Sequence, residues 1–263
     1  MTVNVPARSS LIVESAVFAG RLLTHWRREP IVPIQAVVFP SFLLITYKLL
    51  VGKSILKITG TDSLYGLVPM CAVAGAMFGS FAAALSIHLE REWGLLSRLW
   101  VMPVNRASAL GGRLLAEAIR TLLATVLITL VGVGLGLRFH GSLLRVIPYL
   151  LIPVLVGIVF SLAVVAIASR SKNTSALIWL GIPATGSVFS SSGVPPAELL
   201  PAWIRPLTHL NPMTSVIECM RELALGGPFL WPLAMSLLWV LGLAAVVLPF
   251  AITGYRSAAE SRH

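Results

Sequence analysis

The sequence predicts an all-helical integral membrane protein, and three observations carry that fold class. Apolar residues fill 57% of the 263 positions and mean hydropathy is +0.89, far above the usage of soluble domains. Charged residues make up only 11% of the chain and gather at the ends of the apolar stretches. Several of those stretches reach the roughly 18–20 residues that a helix needs to cross about 30 Å of hydrocarbon. They are continuous rather than alternating, which argues against a transmembrane barrel.

Residues 9–29 form the first element. At 100° per residue Glu14, Arg21, His25 and Arg28 share one face, and Ile12, Ala16, Ala19, Leu23 and Trp26 share the other. This pattern predicts a helix lying in the membrane interface. Glu14 interrupts the first apolar run, so the segment does not read as a cleavable signal. Six spans follow, over 31–51, 66–87, 116–137, 146–169, 176–190 and 229–253. Pro33 stands at the entrance of the first and Pro40 inside it. The second carries Gly75-Ala76-Met77-Phe78-Gly79, a small-residue surface suited to close helix packing. The fifth is short and runs out into Ser190-Ser191-Ser192-Gly193. All belong to a single transmembrane domain, 1–263.

Basic residues set the orientation. With both termini inside, thirteen Lys and Arg fall on the inner side, Arg113 and Arg120 among them, against seven on the outer side. The positive-inside rule therefore predicts cytoplasmic termini. It also explains the net charge of +10 without nucleic acid, because the basic residues act as topology and headgroup anchors.

Two connections are more than loops. Residues 89–106 form a charged, amphipathic piece between the second and third spans, on the cytoplasmic side. So many charges in so apolar a chain suggest a surface that something outside the membrane reads. Pro103 should end its helix, and Gly94 lets the chain turn. On the outer side, 194–226 holds two apolar pieces too short to span, broken by Pro201, Pro206 and Pro212. They predict a pair of re-entrant or interfacial helices.

Catalytic chemistry is missing. Asp62 is the only aspartate and lies in an outer loop. The histidines His25, His88, His140, His209 and His263 show no metal-binding spacing, and no Gly-x-Ser-x-Gly elbow occurs. Gly52-Lys53-Ser54 ends like a phosphate loop, but Tyr47 stands where that motif needs its first glycine. Gly132-Val133-Gly134-Leu135-Gly136 sits in a span and serves packing. Cys71 and Cys219 read as small buried hydrophobes. No Asp, Glu, Lys or Arg is expected near the centre of a span, which disfavours an ion-coupled carrier. A chain with neither a nucleotide site nor an ion relay must borrow its energy; a non-transporting scaffold and an intramembrane enzyme are the alternatives.

Two stretches resemble the permease subunits of type-2 ABC exporters, especially the daunorubicin-resistance group of actinobacteria, whose members export drugs or complex envelope lipids. The first is Glu90, Arg91 and Glu92 followed by Gly94, Leu96, Arg98, Leu99, Pro103, Val104 and Arg106. The second is Pro196, Pro201 and Trp203, then Leu210-Asn211-Pro212 and Arg221. Leu95, Ser97 and Ser215 depart from the residues common there. The resemblance implies that Glu90–Arg106 holds the coupling helix that docks on a separate nucleotide-binding subunit. It also implies that Pro201, Trp203, Asn211, Pro212 and Arg221 belong to an outer gate. The implied assembly pairs this permease with a second one, identical or paralogous, on two ATPase subunits in the bacterial plasma membrane. ATP and Mg would sit on those partners; this chain would hold no cofactor or metal.

Overall fold

The computed structural model describes residues 10–28, 31–92, 106–170, 175–191, 201–203 and 205–260. The regular elements among them are helices: α1 (Leu11–Arg28), α2 (Ile31–Thr59), α3 (Leu64–Glu92), α4 (Arg106–Gly134), α5 (Val146–Arg170), α6 (Ser175–Phe189), α7 (Arg205–Leu210), α8 (Pro212–Leu225) and α9 (Leu230–Glu260), with a 3₁₀ turn at Leu143–Arg145. Five of them, α2, α3, α4, α5 and α9, are long and apolar enough to cross a membrane. With 15 residues, α6 is about 22 Å long, shorter than these five.

Lipid exerts no hydrophobic drive between helices, so this bundle must be held by close packing and polar contacts. Its centre is α3: the apolar window Leu64–Phe81 is 89% buried, against 17% for that of α9. Around α3 pack α2, α4, α5, α6 and α8, while α9 lies along α5 and α8. Small residues bring the backbones together. A side chain at Gly132 of α4 would strike Val68, one at Gly157 of α5 would strike Thr121, and one at Gly181 of α6 would strike Phe81. Gly52 lies within α2, so Gly52-Lys53-Ser54 is helical and forms no phosphate loop.

Two expectations are overturned. Charged groups do lie near the middle of a span: Glu117 and Arg120 stand midway along α4, 1% and 3% exposed. A span of 116–137 puts both at its edge, whereas α4 begins at Arg106 and carries them to its middle. Thirteen inner basic residues become eleven once Arg113 and Arg120, both buried within α4, are removed, still against seven. Glu14 is also not on the open face of α1. It is buried with Ala19 and Trp26 where α1 packs on α4, and a side chain at Gly112 would meet Phe18 and the backbone of Ser15. The exposed residues of α1 are apolar in its first half, at Ile12, Val13 and Val17, and basic in its second, at Arg21, His25, Arg27 and Arg28. The helix contributes to the bundle and still presents a lipid-compatible face.

Candidate functional site

Three places bear on function: the junction of α3 and α4, a polar contact that clamps those helices, and the α7–α8 segment. At the junction Glu90, Arg91 and Glu92 form the last turn of α3, and Arg106 opens α4. Gly94, Leu96, Arg98, Leu99 and Pro103 lie outside the described residues. Whatever acts on 93–105 therefore acts on two of the membrane-crossing helices at once.

Sequence reasoning missed the clamp. Arg120 donates from Nε to Glu117 Oε2 (3.0 Å) and from Nη2 to Glu117 Oε1. The same Nη2 reaches the Ala76 carbonyl on α3 at 3.0 Å. The Ser80 hydroxyl, 3.0 Å from that carbonyl, also donates to Glu117 Oε1. Two opposite charges thus neutralise each other and share protein hydrogen bonds, although Arg120 Nη1 has no hydrogen-bond partner among the described residues. Gly79 makes the geometry possible, since a Cβ there would lie 1.6 Å from Arg120 Nη1. The Gly75–Gly79 surface thus admits a guanidinium as well as a neighbouring helix. A signal was present in the sequence: Arg113, Glu117 and Arg120, then Thr121, Thr125 and Thr129, recur at three- or four-residue steps and must share one stripe of a helix. All six are buried.

At the third place, Asn211 caps α8. Its side chain accepts from the Met213 N–H (3.0 Å) and its Nδ2 donates to the Ser187 carbonyl on α6 (2.5 Å). Pro212 takes the first helical position, where a missing N–H costs nothing. Gly226 ends the helix in the left-handed conformation at φ +84°, donating to the Glu222 carbonyl. Beyond it, Arg145 Nη1 donates to the Gly227 carbonyl (2.9 Å), and the His140 N–H donates to that of Ala224 (2.9 Å). The C-terminal end of α8 therefore meets the α4–α5 loop, while Met213 and Val216 near its start lie beside the middle of α5 and α9. The helix thus runs from the middle of the bundle to that loop. Of the other outer residues, Pro201 and Trp203 are exposed (Trp203 by 73%), and Arg221 lies half-buried more than two turns beyond Asn211.

The α4–α5 loop is also tied to the start of α3, where the Tyr65 hydroxyl donates to the Arg138 carbonyl (2.9 Å) and lies 3.0 Å from His140 Nδ1. Nearby, Lys48 binds Asp62 at 2.5 Å. Partial burial alone would raise the Asp62 carboxyl pKa. The Lys48 and Leu64 N–H hydrogen bonds and the Lys48 charge outweigh it and hold the pKa below the ordinary 3.8. No group of three or more His, Cys, Asp or Glu capable of holding a metal occurs among the described residues.

Residues 15–225 match the family profile described as ABC-2 type transporter. A probable doxorubicin resistance ABC transporter permease of Mycobacterium tuberculosis is 36% identical over 94% of this chain and 90% of its own. A daunorubicin resistance ABC transporter permease of Streptomyces coeruleorubidus is 25% identical over 96% of this chain and 89% of its own. A putative transport permease of Cyanophora paradoxa is 29% identical over 81% of this chain and 74% of its own. A multi-pass helical bundle matched over most of its length, the chain belongs to the ABC-2 type transporter family as a membrane permease subunit.

Proposed function

We propose that this permease exports a lipophilic molecule, an envelope lipid or a hydrophobic drug, across the plasma membrane on energy supplied by two separate ATPase subunits that bind ATP and Mg. A second permease, identical or paralogous, completes the pathway. Six crossings, with α6 as the fifth, leave both termini in the cytoplasm; α1 lies at the inner interface, and α7–α8 forms the outer re-entrant gate with Trp203 at its approach.

The observation that carries the reading is the connection of 93–105 to α3 and α4, which the buried Arg120–Glu117–Ala76 contacts bind into one unit. A push on that segment from a docked ATPase would move both helices together. Charge reversal tests it. Glu90→Lys with Glu92→Lys should weaken ATPase-subunit association or uncouple hydrolysis from export, with the permease still inserted. A segment held only to lipid headgroups would tolerate the added positive charge, so unchanged association and unchanged export would reject the coupling role.

A further inference from the structure

An apolar cavity of about 220 Å³ lies at mid-depth between α5, α6, α8 and α9. Its walls include Phe160 and Ala163 of α5, Met213 and Val216 of α8, and Trp239 and Leu243 of α9. Among the described residues no charged or hydroxyl side chain lines it, although a polar stripe runs along α4 in the same bundle. Leu243 both lines the cavity and is 37% exposed, beside Leu241 and Val246 at 65% and 61%. The cavity therefore meets the outer apolar surface of α9, the least buried of the membrane-crossing helices.

We propose that this cavity holds a stretch of the cargo's linear hydrocarbon chain, entering sideways from the bilayer past Leu243. This rests on the exporter reading and narrows its substrate class. Three features select the occupant. The volume is too small for a helix of a second copy, which is about 10 Å across. A molecule bearing hydroxyls or amines would lose their hydrogen bonds against these walls, the penalty of any polar group buried without a partner. A plain hydrocarbon chain loses none. Moving such a chain from lipid into an apolar wall changes its free energy little, since both are equally apolar. Occupancy is thus weak and set by shape, which suits a site that must release what it takes. Met213 and Val216 belong to the first turns of α8, so a movement of that helix reshapes the cavity wall directly.

The test uses the full complex in vesicles with a phospholipid that carries a diazirine midway along one acyl chain. Photolysis should place adducts on peptides containing Met213 or Trp239. Ala163→Phe, which fills the cavity, should remove most of that labelling while the complex still assembles; Ala163→Leu should reduce it partly and guards against misfolding of the bulkier variant. Cargo and resident bilayer lipid separate under turnover, because ATP should lower the labelling severalfold if the chain is being moved. Adducts absent from these peptides, labelling indifferent to Ala163→Leu and Ala163→Phe, or labelling unchanged by ATP would each overturn the proposal. Failure of the exporter reading would show differently, as no ATPase in the purified complex and adducts still present.

Discussion

At the residue scale the Glu117–Arg120 pair is the most consequential contact, because each partner makes the other admissible inside the bundle. Removing one charge strands the other, and in buried settings that costs about 3–5 kcal/mol, whereas replacing both with apolar residues is often neutral. Glu117→Ala should therefore lower the thermal midpoint of the solubilised protein more than the double change Glu117→Leu with Arg120→Met. Equal losses in the two variants would show that the charges are independent. Gly79→Ala should also destabilise, since its methyl would occupy the space of the guanidinium. At the membrane edge Asp62 gives a pH-dependent counterpart. Its folded pKa is depressed, so its contribution is complete above the unfolded value and is lost as pH falls through the lower folded one. Half-exposed and screened, the pair should be worth less than about 1 kcal/mol. Asp62→Asn should melt slightly below the parent at neutral pH, and the gap should close in titrations below pH 3.8.

At the element scale α8 depends on its two ends more than a spanning helix does, because 14 residues give it about 21 Å and little length over which to recover a lost cap. Asn211→Ala removes both the cap and the tie to α6, and a lost cap alone costs about 1 kcal/mol. Gly226→Ala forces a side chain into the left-handed region at φ +84° and should cost a similar amount. Hydrogen exchange should show earlier opening of α8 in both variants, with α3 still protected. Simultaneous loosening of α3 would mean that α8 is part of the core unit rather than a separable outer element.

At the scale of the whole molecule, orientation is the property with the sharpest test. Eleven inner against seven outer basic residues still favours cytoplasmic termini after the two buried arginines are removed. In a background lacking Cys71 and Cys219, a cysteine at Ser97 should stay unlabelled by an impermeant reagent in intact cells and become reactive in inverted vesicles. One placed at Trp203, exposed in the fold, should do the reverse. Labelling of the Ser97 position from outside would invert the topology and with it the site of ATPase docking.

The sequence by itself determined the class of the protein: apolar runs of spanning length, sparse charge and loop-end arginines follow from the bilayer's demand that a crossing segment satisfy its own backbone. Composition and motif spacing also carried the resemblance to exporter permeases, because those features are local. Only the tertiary structure decided which charges are inside. In a linear scan Arg113 reads as loop, and Glu117 and Arg120 as the edge of a span, since a hydropathy window penalises each charge alone and cannot see a partner on the same helix or a carbonyl on another. Ala76 and Gly79 lie some forty positions away from Arg120, so the notch and the acceptor exist only once α3 packs on α4. The packing of α8 against α3 and α5 and the apolar cavity beside it belong to the same class of fact. Both arise from how α5, α6, α8 and α9 meet, and no single stretch of sequence contains that meeting.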